Sequence, residues 1–280
     1  MTQAWRDGRL VAPEAAHVSI ADRGLLLGDG VFETILVHNG RAFDLDAHLA
    51  RLETGLGVLG FAEAVDLAKL RADIAHYLTL ENAARAVLRL TVTRGVGPRG
   101  LAPPDTPHPT ILMTLSPLPP PRERPLSLHV ATSTRRNELS PVSRIKALPY
   151  LDNLIAFQEA RAQGADDAVM LNTRGAVACA TVANLFVVRE GRLETPPVAD
   201  GALPGVMRAL VLSLAKEAGL APEENSLRTG DLAAADHVFL TNSLRGVAEA
   251  GSCNGAELRR IAGGAVERLR KLIAARLEEA

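Results

Sequence analysis

Five prolines within Ser116–Pro125 constrain this chain more than any other stretch. Such a segment can continue neither a helix nor a central strand, and it favours an extended, semi-rigid connector. The 280 residues are therefore read as an N-terminal domain over 1–116, a linker over 117–125 and a larger C-terminal domain over 126–280. Each domain is long enough to bury its own core. Before the linker, Val31–Val37 and Ala86–Thr93 alternate as half-buried strands do, and Asn39-Gly40 supplies a hairpin turn. Leu45, Leu49, Leu52, Leu56 and Leu59 form one helical stripe, and Leu67, Leu70, Ile74 and Leu78 a second. After the linker, strand-like runs at 126–131, 167–171, 182–188 and 237–240 are interleaved with helical patterns at about 149–163, 206–218 and 264–278. The expected classes are α+β for the first domain and α/β for the second.

Charge is balanced, with 31 basic and 32 acidic residues, so nothing favours nucleic acid or an anionic membrane. Two cysteines, Cys179 and Cys253, cannot build a disulfide framework. Neither a signal-peptide core nor a membrane-spanning run is legible, which predicts a soluble, cytoplasmic protein. The seven histidines are scattered without metal-ligand spacing, and no metal is assigned.

Lys146 stands apart. It lies between a polar loop and an apolar helix, beside strongly hydrophobic runs. Desolvating an ammonium is costly, so a lysine buried there is neutral or covalently used, the condition for Schiff-base chemistry. The alternative is a solvated lysine at a helix start. Two segments offer anion sites. Ala202–Arg208 places Pro204-Gly205 directly before an amphipathic helix, whose free N–H groups and dipole attract phosphate. Thr241-Asn242-Ser243 follows a strand and can wrap an anion with backbone N–H groups. Ordinary helix starts and polar turns look the same. Arg51, three residues after His48, could add a fixed positive charge.

Read in order, Ala21-Asp-Arg-Gly24, Gly28–Thr34, His48–Leu52, Thr93-Arg-Gly95, Lys146, Ala183–Phe186, Pro204–Arg208 and Asn242-Ser-Leu244 resemble the class-IV aminotransferases. These include the branched-chain aminotransferases, D-amino-acid transaminases and 4-amino-4-deoxychorismate lyases. The resemblance implies a two-domain fold of the D-amino-acid-aminotransferase type (PLP fold type IV) and pyridoxal 5′-phosphate (PLP) joined to Lys146. It also implies a homodimer with sites near the interface. By carry-over, Arg51, the Gly205-Val206-Met207 backbone and Thr241, Asn242 and Ser243 hold the phosphate, with Asn184 in the cofactor-binding set. Arg99, in Gly97-Pro-Arg-Gly100, matches a loop that in some relatives reaches the partner subunit's site and binds a carboxylate there. An arginine suits that task through paired N–H groups, and suits solvent equally.

The pattern breaks at one place. Relatives carry a glutamate before the Ala-Asn-Leu-Phe motif to keep the pyridine nitrogen protonated, and here that position is Cys179. A thiol is a weak hydrogen-bonding partner. Cys179 is read as tolerating slower carbanion formation, as biasing the enzyme toward elimination, or as marking a PLP binder with little turnover. Phe32 and Leu101 stand where D-amino-acid transaminases offer polar groups, and Phe32 is counted with the substrate-binding residues. Tyr150 either lines the pocket or caps the following helix. The expected activity is amino transfer between a small amino acid and a 2-oxo acid. Lyase action on 4-amino-4-deoxychorismate is the alternative.

Overall fold

The computed structural model describes residues 3–261 and 264–279. The described residues form two compact units, 3–119 with 145–149, and 120–144 with 150–261 and 264–279. The first contains β1 (Ala4–Arg6), β2 (Arg9–Val11), α1 (Arg23–Leu27), β3 (Gly30–His38), β4 (Arg41–Ala42), α2 (Leu45–Leu59), α3 (Leu67–Leu80), β5 (Arg85–Thr93) and β6 (Thr110–Ser116). Its strands pair antiparallel in the order β2-β1-β6-β5-β3-β4. Alternation along β3 and β5 sends Val31, Ile35, Val37, Leu88, Leu90 and Val92 into one core. There they meet Leu49, Leu52 and Leu56 of α2 and Leu70 and Ile74 of α3. The expected hairpin forms: Asn39 (φ 49°) and Gly40 (φ 78°) both adopt the left-handed conformation between β3 and β4. β6 carries no clean alternation in the sequence, and only its pairing with β5 and β1 reveals it.

Residues 145–149, placed by the sequence in the C-terminal domain, group with the first unit instead. The reason is backbone pairing. Phe32 N–H donates to the Lys146 carbonyl at 2.9 Å, and Leu148 N–H to the Gly30 carbonyl at 3.0 Å. Ala147 bridges Val31 antiparallel, on the edge of β3 that the two-residue β4 leaves uncovered.

The second unit contains β7 (Leu126–Val130), α4 (Leu151–Ala162), β8 (Asp167–Leu171), β9 (Val177–Ala180), β10 (Asn184–Arg189), β11 (Arg192–Thr195), α5 (Val206–Leu214), β12 (Ala221–Glu224), α6 (Thr229–Ala234), β13 (His237–Asn242), β14 (Gly246–Cys253), β15 (Ala256–Glu257) and α7 (Ala265–Glu279). Its mixed sheet runs β12-β11-β10-β13-β14-β7-β8-β9, with β15 beside β14. Leu185, Val187, Val238, Leu240, Leu128 and Val169 fill one core. Ala156 and Ala160 of α4 close against Ala168, Met170 and Ala178, the alanines letting helix and sheet approach. The strand expected from Val182 begins at Asn184, because a turn closed by Ala180 N–H on the Ala183 carbonyl leaves Val182 exposed. β14 went unread in the sequence, since glycine and alanine dilute its apolar pattern. No helix among the described residues is long and apolar enough to cross a membrane.

Candidate active site

In the first unit, charge collects around β3. Its core-facing positions are Val31, Glu33, Ile35 and Val37, so Glu33 is carried into the apolar layer and is fully buried. Such a carboxylate must be paired. Arg51 grips it with Nε on Oε1 at 2.8 Å and Nη2 on Oε2 at 2.5 Å, and His48 Nδ1 lies 2.7 Å from Oε2. Burial pushes this carboxyl up, but Arg51 and His48 outweigh it and hold it below the usual carboxylate range. His48 and Arg51 reach one acid because three residues on α2 bring both to one face.

On the opposite face of β3, Phe32 is buried under two cations. Lys146 Nζ lies 4.3 Å and Arg89 Cζ 4.1 Å from its ring centroid, distances suited to cation–π attraction. Burial, reinforced by the charges of Arg51 and Arg89 and opposed by Glu33, lowers the Lys146 ammonium to about 8. At neutral pH a usable fraction of this amine is therefore unprotonated, as carbonyl chemistry requires. The sequence reading picked out Lys146, Phe32 and Arg51 but missed Glu33, His48 and Arg89. Glu33 had a signal: an acid at a core-facing strand position, with His48 and Arg51 three residues apart on the next helix. Arg89 is an ordinary outward strand residue and had none.

In the second unit, Asn184, Gly205 and Thr241 converge. Asn184 on β10 pairs across from Thr241 on β13. Its Nδ2 donates to the Leu203 carbonyl at 2.8 Å, which ties β10 to the segment before α5. Gly205 caps that helix with no side-chain hydrogen bond to the first-turn N–H groups. A Cβ on Gly205 would lie 2.0 Å from Asn184 Oδ1, so only glycine fits. Thr241 Oγ1 is buried without a hydrogen-bond partner among the described residues. Uncapped N–H groups, a glycine-only approach and an orphaned hydroxyl together fit a phosphate. Asn242 Oδ1 accepts from Leu244 and Arg245 N–H at 3.1 and 3.0 Å, which fixes the turn through Ser243.

Cys179 on β9 pairs with Met170 and is buried among small apolar side chains. Burial pushes its thiol up, with Asp167 adding to that and Arg136 opposing it, so it stays protonated at neutral pH. Tyr150 is the residue before α4 and makes no side-chain cap to that helix. Arg99 is exposed in the loop after β5.

A family model, amino-transferase class IV, matches residues 30–253. The chain is 36% identical to a protein of Methanocaldococcus jannaschii provisionally named a branched-chain-amino-acid aminotransferase, over 85% of this chain and 83% of that one. The 4-amino-4-deoxychorismate lyase structure of Pseudomonas aeruginosa superposes with a TM-score of 0.84 at 33% identity, covering 97% of this chain and 98% of the other. A hypothetical aminotransferase of Mycobacterium tuberculosis in its PLP-bound form gives a TM-score of 0.86 at 26% identity, with 98% of both chains covered. A half-buried lysine with a lowered ammonium and a helix start that only glycine fits thus sit within a sequence and a fold shared with these proteins, and the chain belongs to the PLP-dependent class-IV aminotransferase family.

Proposed function

We propose that this enzyme transfers an amino group between a small amino acid and a 2-oxo acid, with Lys146 as the Schiff-base residue. The observation that carries the proposal is the placement of Lys146, whose backbone is tied to β3 and whose Nζ lies 4.3 Å from the Phe32 ring centroid, where burial and neighbouring arginines lower its ammonium. In this reading the Gly205-Val206-Met207 backbone, Asn184, Thr241, Asn242, Ser243 and Arg51 hold the cofactor phosphate. Bound PLP supplies the electron sink that loosens bonds at the amino-acid Cα. Lys146 Nζ, once displaced by the substrate amine, takes up the Cα proton and returns it, acting as base and then as acid. Phe32 holds that amine in place, Arg99 binds a substrate carboxylate, and Tyr150 contributes to the substrate pocket. The working form is a homodimer.

Cys179 favours a second reading. A buried, protonated thiol gives the pyridine nitrogen no carboxylate partner, and elimination can demand less carbanion stabilisation than transamination. Lyase action on 4-amino-4-deoxychorismate, releasing pyruvate, fits that reading and the Asn242-Ser243-Leu244 turn. The deciding experiment is the visible spectrum of the PLP-loaded protein with single amino acids and no acceptor. A transaminase bleaches the yellow band to the pyridoxamine form. A lyase keeps the band and releases pyruvate from 4-amino-4-deoxychorismate. A protein doing neither is a PLP binder with little turnover, and both readings fall.

A further inference from the structure

Arg23 has no part in the chemistry described above, yet it is among the most completely engaged cations in the protein. It opens α1 and is 5% exposed. Its Nε donates to Asp29 Oδ2 at 2.8 Å. Its Nη1 donates to the carbonyls of Gly100 at 3.2 Å and Ala102 at 3.0 Å, and Nη2 to that of Leu101 at 3.1 Å. Three consecutive carbonyls of one surface loop thus converge on a single guanidinium. Asp29 is itself held from the other side by Arg94, Nε on Oδ2 at 2.8 Å and Nη2 on Oδ1 at 3.2 Å. Arg94 is anchored in turn on the Leu59 carbonyl at 2.5 Å and over the Phe61 ring at 4.5 Å. The loop lies close along the arginine stem, since a Cβ on Gly97 would come within 2.7 Å of Arg23 Cδ.

A surface loop ordinarily satisfies its carbonyls with water, and burying a cation is costly. Here a buried cation is used to fix the stretch directly after Arg99. Turning the carbonyls inward leaves Leu101 84% exposed, and the Arg99 side chain is exposed as well. Bidentate carboxylate capture depends on the orientation of the guanidinium fork, so an arginine on a fixed loop binds better than one on a loose loop.

We propose that Arg23, braced by Asp29 and Arg94, is a positioning residue that sets substrate affinity by fixing the 97–104 loop that presents Arg99. The inference rests on Arg99 being a substrate-carboxylate ligand.

The test uses the PLP-loaded, full-length protein with D-alanine, L-leucine and 4-amino-4-deoxychorismate as probes. Arg23→Gln should raise KM about tenfold while kcat changes less than about twofold, the signature of lost positioning in binding. It should also speed tryptic cleavage at the Arg99–Gly100 bond, and Arg23→Lys should restore only part of either property. In an Arg99→Gln background, Arg23→Gln should add nothing further to KM. Equal losses in the two backgrounds, or a fall in kcat with KM unchanged, would overturn the proposal. If Arg99→Gln alone leaves KM unchanged, the carboxylate reading of Arg99 fails. If it raises KM and Arg23→Gln does not, only the positioning role fails. Should Arg23→Gln not fold, Gly97→Ala disturbs the same clamp and must raise KM in its place.

Discussion

The lysine-bearing region of the first unit and the Gly205 region of the second draw their polarity from opposite sources. Around Lys146, full charges do the work. Arg51, Arg89 and Glu33 act on one amine, and the buried Glu33 is tied to Arg51 and His48. Around Gly205 the polarity comes from backbone N–H groups and uncharged side chains, Asn184 and Thr241. Under the proposed function, the difference matches the tasks. Tuning an ionisation needs nearby charges in a poorly solvated place, whereas receiving an anion needs preorganised dipoles that leave no uncompensated charge when it departs. The first region should therefore be fragile to loss of a charge, and the second to added bulk.

Glu33→Gln should give the largest effect. It leaves the Arg51 guanidinium without its buried counterion, a change worth about 3–5 kcal/mol of folding stability, readable by urea denaturation of the PLP-free protein. The sign of its pH dependence is set by the lowered folded pKa of Glu33 against the ordinary value of 4.5. The stabilisation is fully present above that ordinary value and is lost as pH falls below it through the folded value. The gap between wild type and variant should narrow correspondingly in acid. A gap that stays constant down through that range would mean the pair contributes by shape alone.

Gly205→Ala comes next. Its Cβ would lie 2.0 Å from Asn184 Oδ1, so β10 and the α5 start must separate. Overpacking of this kind costs about 1–3 kcal/mol, and PLP affinity should drop roughly tenfold or more. Unchanged affinity by equilibrium dialysis would remove the Gly205 region from the phosphate site. Thr241→Val is the smallest and the sharpest. Replacing an orphaned buried hydroxyl by a methyl group should leave the PLP-free protein as stable or slightly more so. PLP binding should weaken by about 1 kcal/mol, one hydrogen bond. Loss of stability without loss of affinity would make Thr241 a packing residue.

The same contrast explains what could be read from the chain. Both helical stripes of the first unit and the Asn39-Gly40 hairpin follow local rules and are present in the fold, and no helix or strand crosses the proline run. Lys146 was legible because a lysine among apolar runs is anomalous. Its attachment to β3 was not, since a five-residue return across the proline boundary leaves no local trace. Glu33 could have been found from strand alternation, whereas Arg89 acquires meaning only when register sets it beside Phe32. In the second unit, Pro204-Gly205 was legible as a helix start. The orphaned Thr241 hydroxyl and the Asn184 oxygen against Gly205 emerge only from pairing between β10 and β13.

The central claim is that Lys146 is the carbonyl-reactive amine of this enzyme. It is tested most directly by borohydride reduction of the PLP-loaded protein followed by peptide mass mapping. The account predicts a single phosphopyridoxyl label on Lys146, with the rate of PLP attachment to the cofactor-free protein rising as pH passes about 8, where that ammonium loses its proton. A label on another lysine, with Lys146 unmodified, would contradict it.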